Sequence, residues 1–479
     1  MIDAPVTPEE TPPLDTDVHA TGPAGLGASP DRDPAERLNR SFADSDRLAA
    51  RRVIRPVQHF LHTEASGGIV LVLAAVVAII WANSPFAESY EAFIHHHITI
   101  DFGFLTLDEP IELWINDLLM AVFFFVAGLE IKRELVHGDL RDPRTAALPI
   151  TAAMGGMIVP AVLFTVFNAG GDGAAGWGIP MATDIAFAVG ILTLVGTRAP
   201  ASLKVFLLTL AIVDDIGAII VIALFYTTSL DAVWLGVAAL VVLAIVGLQR
   251  IQVNSIVPYI VLAGVLWLAV FESGIHATIA GVVLGLLTPA YPFHPPEAVT
   301  GTIHNRLQRL RALPADGRAD EDEQNELEGI AQLSRDGVSP LRIWERRLHP
   351  WSAFVILPLF ALANAGVNFD GVSFGSLFSE AVPLGVIVGL VAGKPIGVML
   401  AAFIATKSGL ARLPRGVGWL EMGGVGLLAG VGFTVSIFIS GLAYADPHLV
   451  EMAKVGILTA SVTAGILGFA ALAARKTTP

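Results

Sequence analysis

The stretch Leu207-Leu208-Thr209-Leu210-Ala211-Ile212-Val213-Asp214-Asp215-Ile216-Gly217-Ala218-Ile219-Ile220 sets two adjacent carboxylates in the middle of an apolar run. The run extends from about 203 to 226, long enough to cross a hydrocarbon core roughly 30 Å thick as a helix. Asp214 lies ten positions beyond Lys204, and at 1.5 Å per residue that is about 15 Å, half the core. Each ionisable group inside a span costs about 2.5–3.5 kcal/mol even on the mild insertion scale. Two acids side by side at that depth are hard to justify as structure alone.

Working outward, eleven further apolar segments follow the same pattern: 67–83, 113–134, 146–168, 178–196, 232–248, 256–271, 275–291, 351–367, 382–405, 420–442 and 452–474. Period cannot separate helix from strand in fully apolar runs, but length can, because membrane strands need only about ten residues and alternate in polarity. These are expected to be helices. The fold class is therefore an all-α polytopic membrane protein with about twelve transmembrane helices. Composition agrees: 54% of residues are hydrophobic and 15% charged, where a soluble chain carries about a quarter charged.

The loops give a second signal. Basic residues concentrate in cytoplasmic loops. Lys132, Arg133, Arg141 and Arg144 fall in the second loop, Arg198 and Lys204 in the fourth, Arg250 in the sixth, and Arg306, Arg309, Arg311, Arg342, Arg346 and Arg347 in the eighth. Lys407, Arg412 and Arg415 fall in the tenth, whereas the odd loops are almost free of Lys and Arg. One missed helix would break this alternation, so both termini are expected in the cytoplasm.

The net charge of −14 is mostly peripheral. Glu9, Glu10, Asp15, Asp17, Asp31 and Asp33 lie in a Pro- and Gly-rich stretch that reads as a disordered acidic cytoplasmic tail over 1–55. A transmembrane domain is expected over 56–479, with a partly helical cytoplasmic insertion at about 291–350 carrying Asp320, Glu321, Asp322, Glu323, Glu326 and Glu328. The acidic balance argues against nucleic acid as a partner. The absence of cysteine excludes disulfides, thiolate metal sites and cysteine nucleophiles. No cleavable signal peptide is visible, because no apolar run precedes about Gly67.

The charges inside the spans carry the chemistry. Two adjacent buried carboxylates cannot both ionise cheaply, so at least one holds its proton near neutrality. A cation entering between Asp214 and Asp215 favours loss of those protons, so Na+ and H+ would compete for one site. Asp184, in Pro180-Met181-Ala182-Thr183-Asp184, lies about 12 Å deep from the outer loop by the same rise. Thr183-Asp184 after Gly178 and Pro180 reads as a helix restart inside the membrane, with Asp184 set against the positive helix end. Lys394, in Gly393-Lys394-Pro395, is about 16 Å deep. A buried lysine needs a carboxylate, and Asp214 and Asp215 are both available.

The eleventh span carries Gly423, Gly424, Gly426, Gly430 and Gly432, then Phe433-Thr434, as suits a helix broken at mid-membrane. It and the fourth span occupy corresponding places in two halves, which points to a transporter site between inverted repeats. His276 opens the eighth span and could titrate near neutrality. Glu130, Lys132, Arg133 and Glu134 close the second span, while Glu345, Arg346 and His349 enter the ninth. His95-His96-His97 resembles a metal tract, but lacks a ligand set around it and reads as loop.

This ordered set resembles the bacterial NhaA-type sodium/proton antiporters from about His62 onward. The likeness rests on Ala65-Ser66-Gly67-Gly68, Leu113-Trp114-Ile115-Asn116-Asp117, Gly128-Leu129-Glu130, Lys132-Arg133-Glu134, Ala182-Thr183-Asp184-Ile185-Ala186-Phe187, Val213-Asp214-Asp215-Ile216-Gly217-Ala218, Gly393-Lys394-Pro395 and Gly432-Phe433-Thr434. That family is itself an example behind the inverted-repeat rule, so the two arguments are not independent.

The resemblance implies a transporter rather than an enzyme, with twelve helices, the fourth and eleventh interrupted and crossing at mid-membrane. It implies Na+ (or Li+) and protons alternating at Asp214 and Asp215, with helix-end compensation by Asp184 and Lys394 and support from Thr183. It also implies electrogenic exchange in a bacterial inner membrane for pH and sodium homeostasis, no cofactor, and a homodimer in the lipid bilayer. Control by pH would fall to Glu130, Arg133 and Glu345, with Glu134, His276 and His349 as further candidates. Three departures stand out: the long tail, the acidic insertion, and Arg346 where a histidine is often expected beside Glu345. A sodium-coupled symporter, a cation channel and an intramembrane aspartyl protease using Asp184 with Asp215 remain alternatives.

Overall fold

The computed structural model describes residues 66–101, 103, 106–227, 230–253, 255–312, 321–369 and 375–474. The acidic tail over 1–55 lies outside the described residues, as does Asp320 of the insertion.

The described residues are almost entirely helical. Helix α1 (Ser66–Ala82) is followed by α2 (Ala87–Ile94), bent from it by 118°. Of the histidine tract, read as loop, His95 and His96 lie outside helix and strand, while His97 opens a hairpin of β1 (His97–Asp101) and β2 (Thr106–Pro110), with His97 opposite Pro110 and Asp101 opposite Thr106. Ile98, Thr99 and Ile100 are β-branched and favour the extended chain, and Gly103, at φ 80°, supplies the turn. His95 lies 3.1 Å from Glu91 and His97 lies 3.6 Å from Asp108, so both face carboxylates of this small lobe.

Helix α3 (Ile111–His137) contains a π-turn at Trp114–Leu119. Helix α4 (Pro143–Asn168) starts cleanly, because the Asp142 side chain accepts from Arg144 N and Pro143 takes the first position. A 3-10 segment, Asp172–Met181, precedes α5 (Ile185–Val195) at 44°. Then come α6 (Ala201–Phe225), α7 (Ala232–Arg250), α8 (Val257–Glu272) and α9 (Thr278–Leu287). Among the described residues of the insertion, α10 (Pro296–Ala312) and α11 (Glu321–Asp336) are tied by Arg306 to Glu326 at 3.1 Å. Helix α12 (Pro340–Trp351) runs through a π-turn at Ser352–Ile356 into α13 (Leu357–Asn364). Helix α14 (Ala381–Lys407) has its π-turn at Gly389–Gly393, and α15 (Trp419–Ala429) meets α16 (Phe433–Ala443) at 45° before α17 (Pro447–Ala473).

Each of the twelve apolar segments falls on one of these helices or bent pairs. Six helices among the described residues (α3, α4, α6, α7, α14 and α17) are long and apolar enough to cross a membrane alone, and bent pairs raise the count to nine. Helices α8 and α9 are apolar but shorter, so length by itself does not reach twelve crossings.

Glycine sets the closest helix contacts. A Cβ on Gly128 of α3 would lie 2.9 Å from the Val282 carbonyl of α9 and 3.2 Å from Gly285 Cα. Gly155 of α4 and Gly397 of α14 oppose one another with still less room. Without a hydrophobic force between helices in lipid, such close backbone packing is what holds them together. Each broken span lies between two continuous helices in chain order: the 3-10 segment and α5 between α4 and α6, and α15 and α16 between α14 and α17.

Candidate functional site

The two breaks meet. Asp184 N–H donates to the Val431 carbonyl at 2.7 Å, and the Thr183 hydroxyl reaches the carbonyl of Ala429, the last residue of α15, at 2.8 Å. Broken helices leave orphan backbone groups in a medium without water, so side chains must supply the partners.

Asp184 does this for two helices at once. Its Oδ1 accepts from Phe187 N at 2.9 Å and caps α5. Its Oδ2 accepts from Thr434 Oγ1 at 2.6 Å and Thr434 N at 3.2 Å, in the first turn of α16. One carboxylate therefore faces two positive helix ends. Lys394 does the reverse job, donating from Nζ to the Met181 carbonyl at the end of the 3-10 segment. The π-turn at Gly389–Gly393 ends immediately before it, so the wider turn sets where α14 projects this side chain. The lysine stem runs along Gly156 of α4, where a Cβ would lie 3.6 Å from Cε.

The same ammonium pairs with Asp214 Oδ2 at 2.8 Å, both side chains fully buried. Asp214 Oδ2 also receives the Thr183 hydroxyl at 2.7 Å. Thr183 and Asp184 at the break before α5, Asp214 on α6 and Lys394 on α14 thus form one cluster from three parts of the sequence. Asp215 is buried beside Asp214, and among the described residues neither its Oδ1 nor Asp214 Oδ1 has a hydrogen-bond partner. Two buried carboxylate oxygens without donors are an arrangement a cation or protons would satisfy.

The second candidate group divides. Arg133 forms an ion pair with Glu345 of α12 and another with Glu134 at 3.1 Å, and Glu134 Oε2 accepts from Asp139 N at 3.2 Å. Glu130, half-buried, lies one turn earlier on α3, and His349 is exposed one turn beyond Glu345. A cavity of about 380 Å³ lined by Arg133, Glu134, His137, Ser339 and Arg342 opens beside this pair. His276 is elsewhere: its Nε2 lies 2.8 Å from the Tyr226 carbonyl, at the opposite end of α6 from Lys204.

Sequence reasoning did not place Thr434 in the site, although Phe433-Thr434 after a glycine break was the available signal. It also could not find the Met181 and Ala429 carbonyls, since any residue offers a carbonyl.

A charged cluster buried where two interrupted apolar helices cap one another defines an ion-coupled membrane transporter. The chain belongs to the Na+/H+ antiporter 1 family, whose model matches residues 58–472. It is 48% identical over 421 residues to Na(+)/H(+) antiporter NhaA of Rhodopirellula baltica, covering 88% of this chain and 94% of that one. It is 44% identical over 443 residues to the protein of that name in Janthinobacterium sp. (strain Marseille), covering 92% and 97%. With the Oleidesulfovibrio alaskensis antiporter NhaA the identity is 47% over 423 residues, covering 87% and 93%.

Proposed function

We propose that this protein exchanges Na+ (or Li+) for protons across a bacterial inner membrane, serving sodium and pH homeostasis. The observation that carries the reading is the pair of buried oxygens, Asp214 Oδ1 and Asp215 Oδ1, that no donor among the described residues satisfies. Asp214 is held by Lys394 and Thr183, and Asp215 keeps a proton because a second buried anion beside the first is too costly. A sodium ion arriving between the two carboxylates stabilises both as anions, releases protons and weakens the hold of Lys394. Protons entering from the other side reverse these steps. One proton comes from Asp215 and a second from Lys394, which gives up its charge once Asp214 is taken by the ion, so more protons than sodium ions move and the exchange is electrogenic.

The alternation of basic loops supports twelve crossings with both termini in the cytoplasm. On that orientation the Arg133–Glu345 pair sits at the cytoplasmic ends of α3 and α12, where Glu130, Arg133, Glu134, Glu345 and His349 would set the pH response. His276 lies at the outer end and would act separately. The active form is read as a homodimer, without a cofactor. The protease alternative needs Asp184 and Asp215 to share a water, and the Asp184 carboxylate is occupied with three hydrogen bonds to helix starts.

The test is exchange in membrane vesicles. Na+ should dissipate a preformed pH gradient, K+ should not, and Asp215→Asn should abolish the response. Unchanged exchange in that variant would sink the two-carboxylate mechanism. Solute-dependent sodium uptake would favour a symporter, and conductance without proton movement a channel.

A further inference from the structure

The 3-10 segment Asp172–Met181 forms the outer leg of the fourth span. Its backbone bonds are short-range and poorly aligned, so its carbonyls look outward for donors. Four of them are taken by side chains from other elements. Tyr444, just after α16, donates its hydroxyl to Gly173 O at 2.8 Å. Tyr226, just after α6, donates to Ala175 O at 2.9 Å and accepts from Gly178 N at 3.2 Å, so one hydroxyl staples the segment at two points. Ser436 donates to Ile179 O at 2.8 Å, and Lys394 to Met181 O.

The glycines of this leg are the seats for the two rings. A Cβ on Gly178 would lie 2.7 Å from the Tyr226 hydroxyl oxygen, and one on Gly176 would collide with that of Tyr444. Both tyrosines are buried. Tyr226 follows the helix that carries Asp214 and Asp215, and Tyr444 follows the helix whose start binds Asp184. Each partner of the broken leg therefore also grips it at the far end from the charges.

We infer that Tyr226 and Tyr444 are positioning residues of the exchange reaction: their hydroxyls hold the outer leg in register, keeping Met181 O within reach of Lys394 and Thr183 within reach of Asp214. This rests on the exchange reading above. Removing both hydroxyls leaves Gly173 O and Ala175 O without donors and lets the leg shift, with no change to any charged group. Loss of a buried hydrogen bond in this way is worth roughly tenfold in an equilibrium.

The test uses the double variant Tyr226→Phe/Tyr444→Phe in full-length protein. Tyr90→Phe is the control: Tyr90 also donates from a buried hydroxyl to carbonyls, those of Leu362 and Ala363 at 2.9 and 3.0 Å, but on α13. The double variant should raise KM for Na+ about tenfold with a smaller change in maximal rate, while Tyr90→Phe keeps the parental KM. A second readout needs no transport. The chain has no cysteine, so Ile179→Cys, fully buried, can be probed with a membrane-impermeant maleimide against exposed Ala232→Cys, at the start of α7 and off the leg, as the labelling standard. Labelling of Ile179→Cys should rise about tenfold in the double variant. Parental KM and labelling in the double variant, or equal effects from Tyr90→Phe, would overturn the inference. If the parent protein shows no exchange, the functional reading fails instead, and the labelling result still reports on the leg.

Discussion

Lys394 Nζ lies 2.8 Å from Asp214 Oδ2, whereas among the described residues nothing hydrogen-bonds to Asp215 Oδ1 next to it. The two adjacent acids are therefore inequivalent: one is a charge partner and the other a buried carboxyl with a free oxygen. Sequence alone left both open as partners of Lys394, because adjacent residues on a helix point about 100° apart and only the facing helix decides which is met.

That inequivalence separates the two asparagine variants. Asp214→Asn leaves a fully buried lysine without its anion, which costs about 3–5 kcal/mol. Thermal unfolding in detergent should show a clear drop in Tm for Asp214→Asn and a much smaller one for Asp215→Asn. Adding Lys394→Met to Asp214→Asn should recover part of the loss without restoring transport. Equal destabilisation by the two single variants would contradict the pairing.

Asp184 caps two helices with one carboxylate, so its variants should rank by what they retain. Asparagine keeps an oxygen for one cap but loses the charge facing two positive helix ends, and alanine loses everything. Tm should fall in the order parent, Asp184→Asn, Asp184→Ala, the last by an amount matching about 1–4 kcal/mol for two lost caps. Identical Tm values for the three proteins would remove Asp184 from this role.

The Arg133–Glu345 pair joins α3 to α12 at one end of the bundle. If it sets the pH response, Arg133→Glu and Glu345→Arg should each displace the pH profile of vesicle exchange, and the charge-swapped double variant should move it back. A double variant no better than the singles would show that the local field, rather than this pair, matters.

The glycine contacts give a stability contrast. Gly128→Ala would press a methyl to 2.9 Å from the Val282 carbonyl and should destabilise by about 1–3 kcal/mol. Gly264→Ala, in α8 with nothing within 4 Å of the new methyl, should be neutral or stabilise by about 0.4–1 kcal/mol. Measured melting of the two variants checks the packing of α3 on α9 directly.

Much of this architecture is legible in the chain because membrane spans are written in long apolar runs. The two breaks show as Gly and Pro clusters, and the four charges as residues too costly to bury without purpose. What was hidden has a common cause. The hairpin at His97–Pro110 rests on a short β-branched pattern that a histidine tract obscures. The Met181, Val431 and Ala429 carbonyls, the Tyr226 staple and the dual capping by Asp184 depend on which elements face one another, and no local pattern encodes that. His276 was grouped by chemistry with residues from which the fold separates it.

The central claim is that Na+ and protons compete for Asp214 and Asp215. It is tested most directly by adding Na+ to the purified protein in weak buffer and measuring proton release and binding together. Linkage requires Na+ to bind more tightly as pH rises, with a slope equal to the protons released per ion. The expected result is stoichiometric proton release in the parent protein and none in Asp215→Asn. Sodium binding with no proton release, and an affinity independent of pH, would contradict the account.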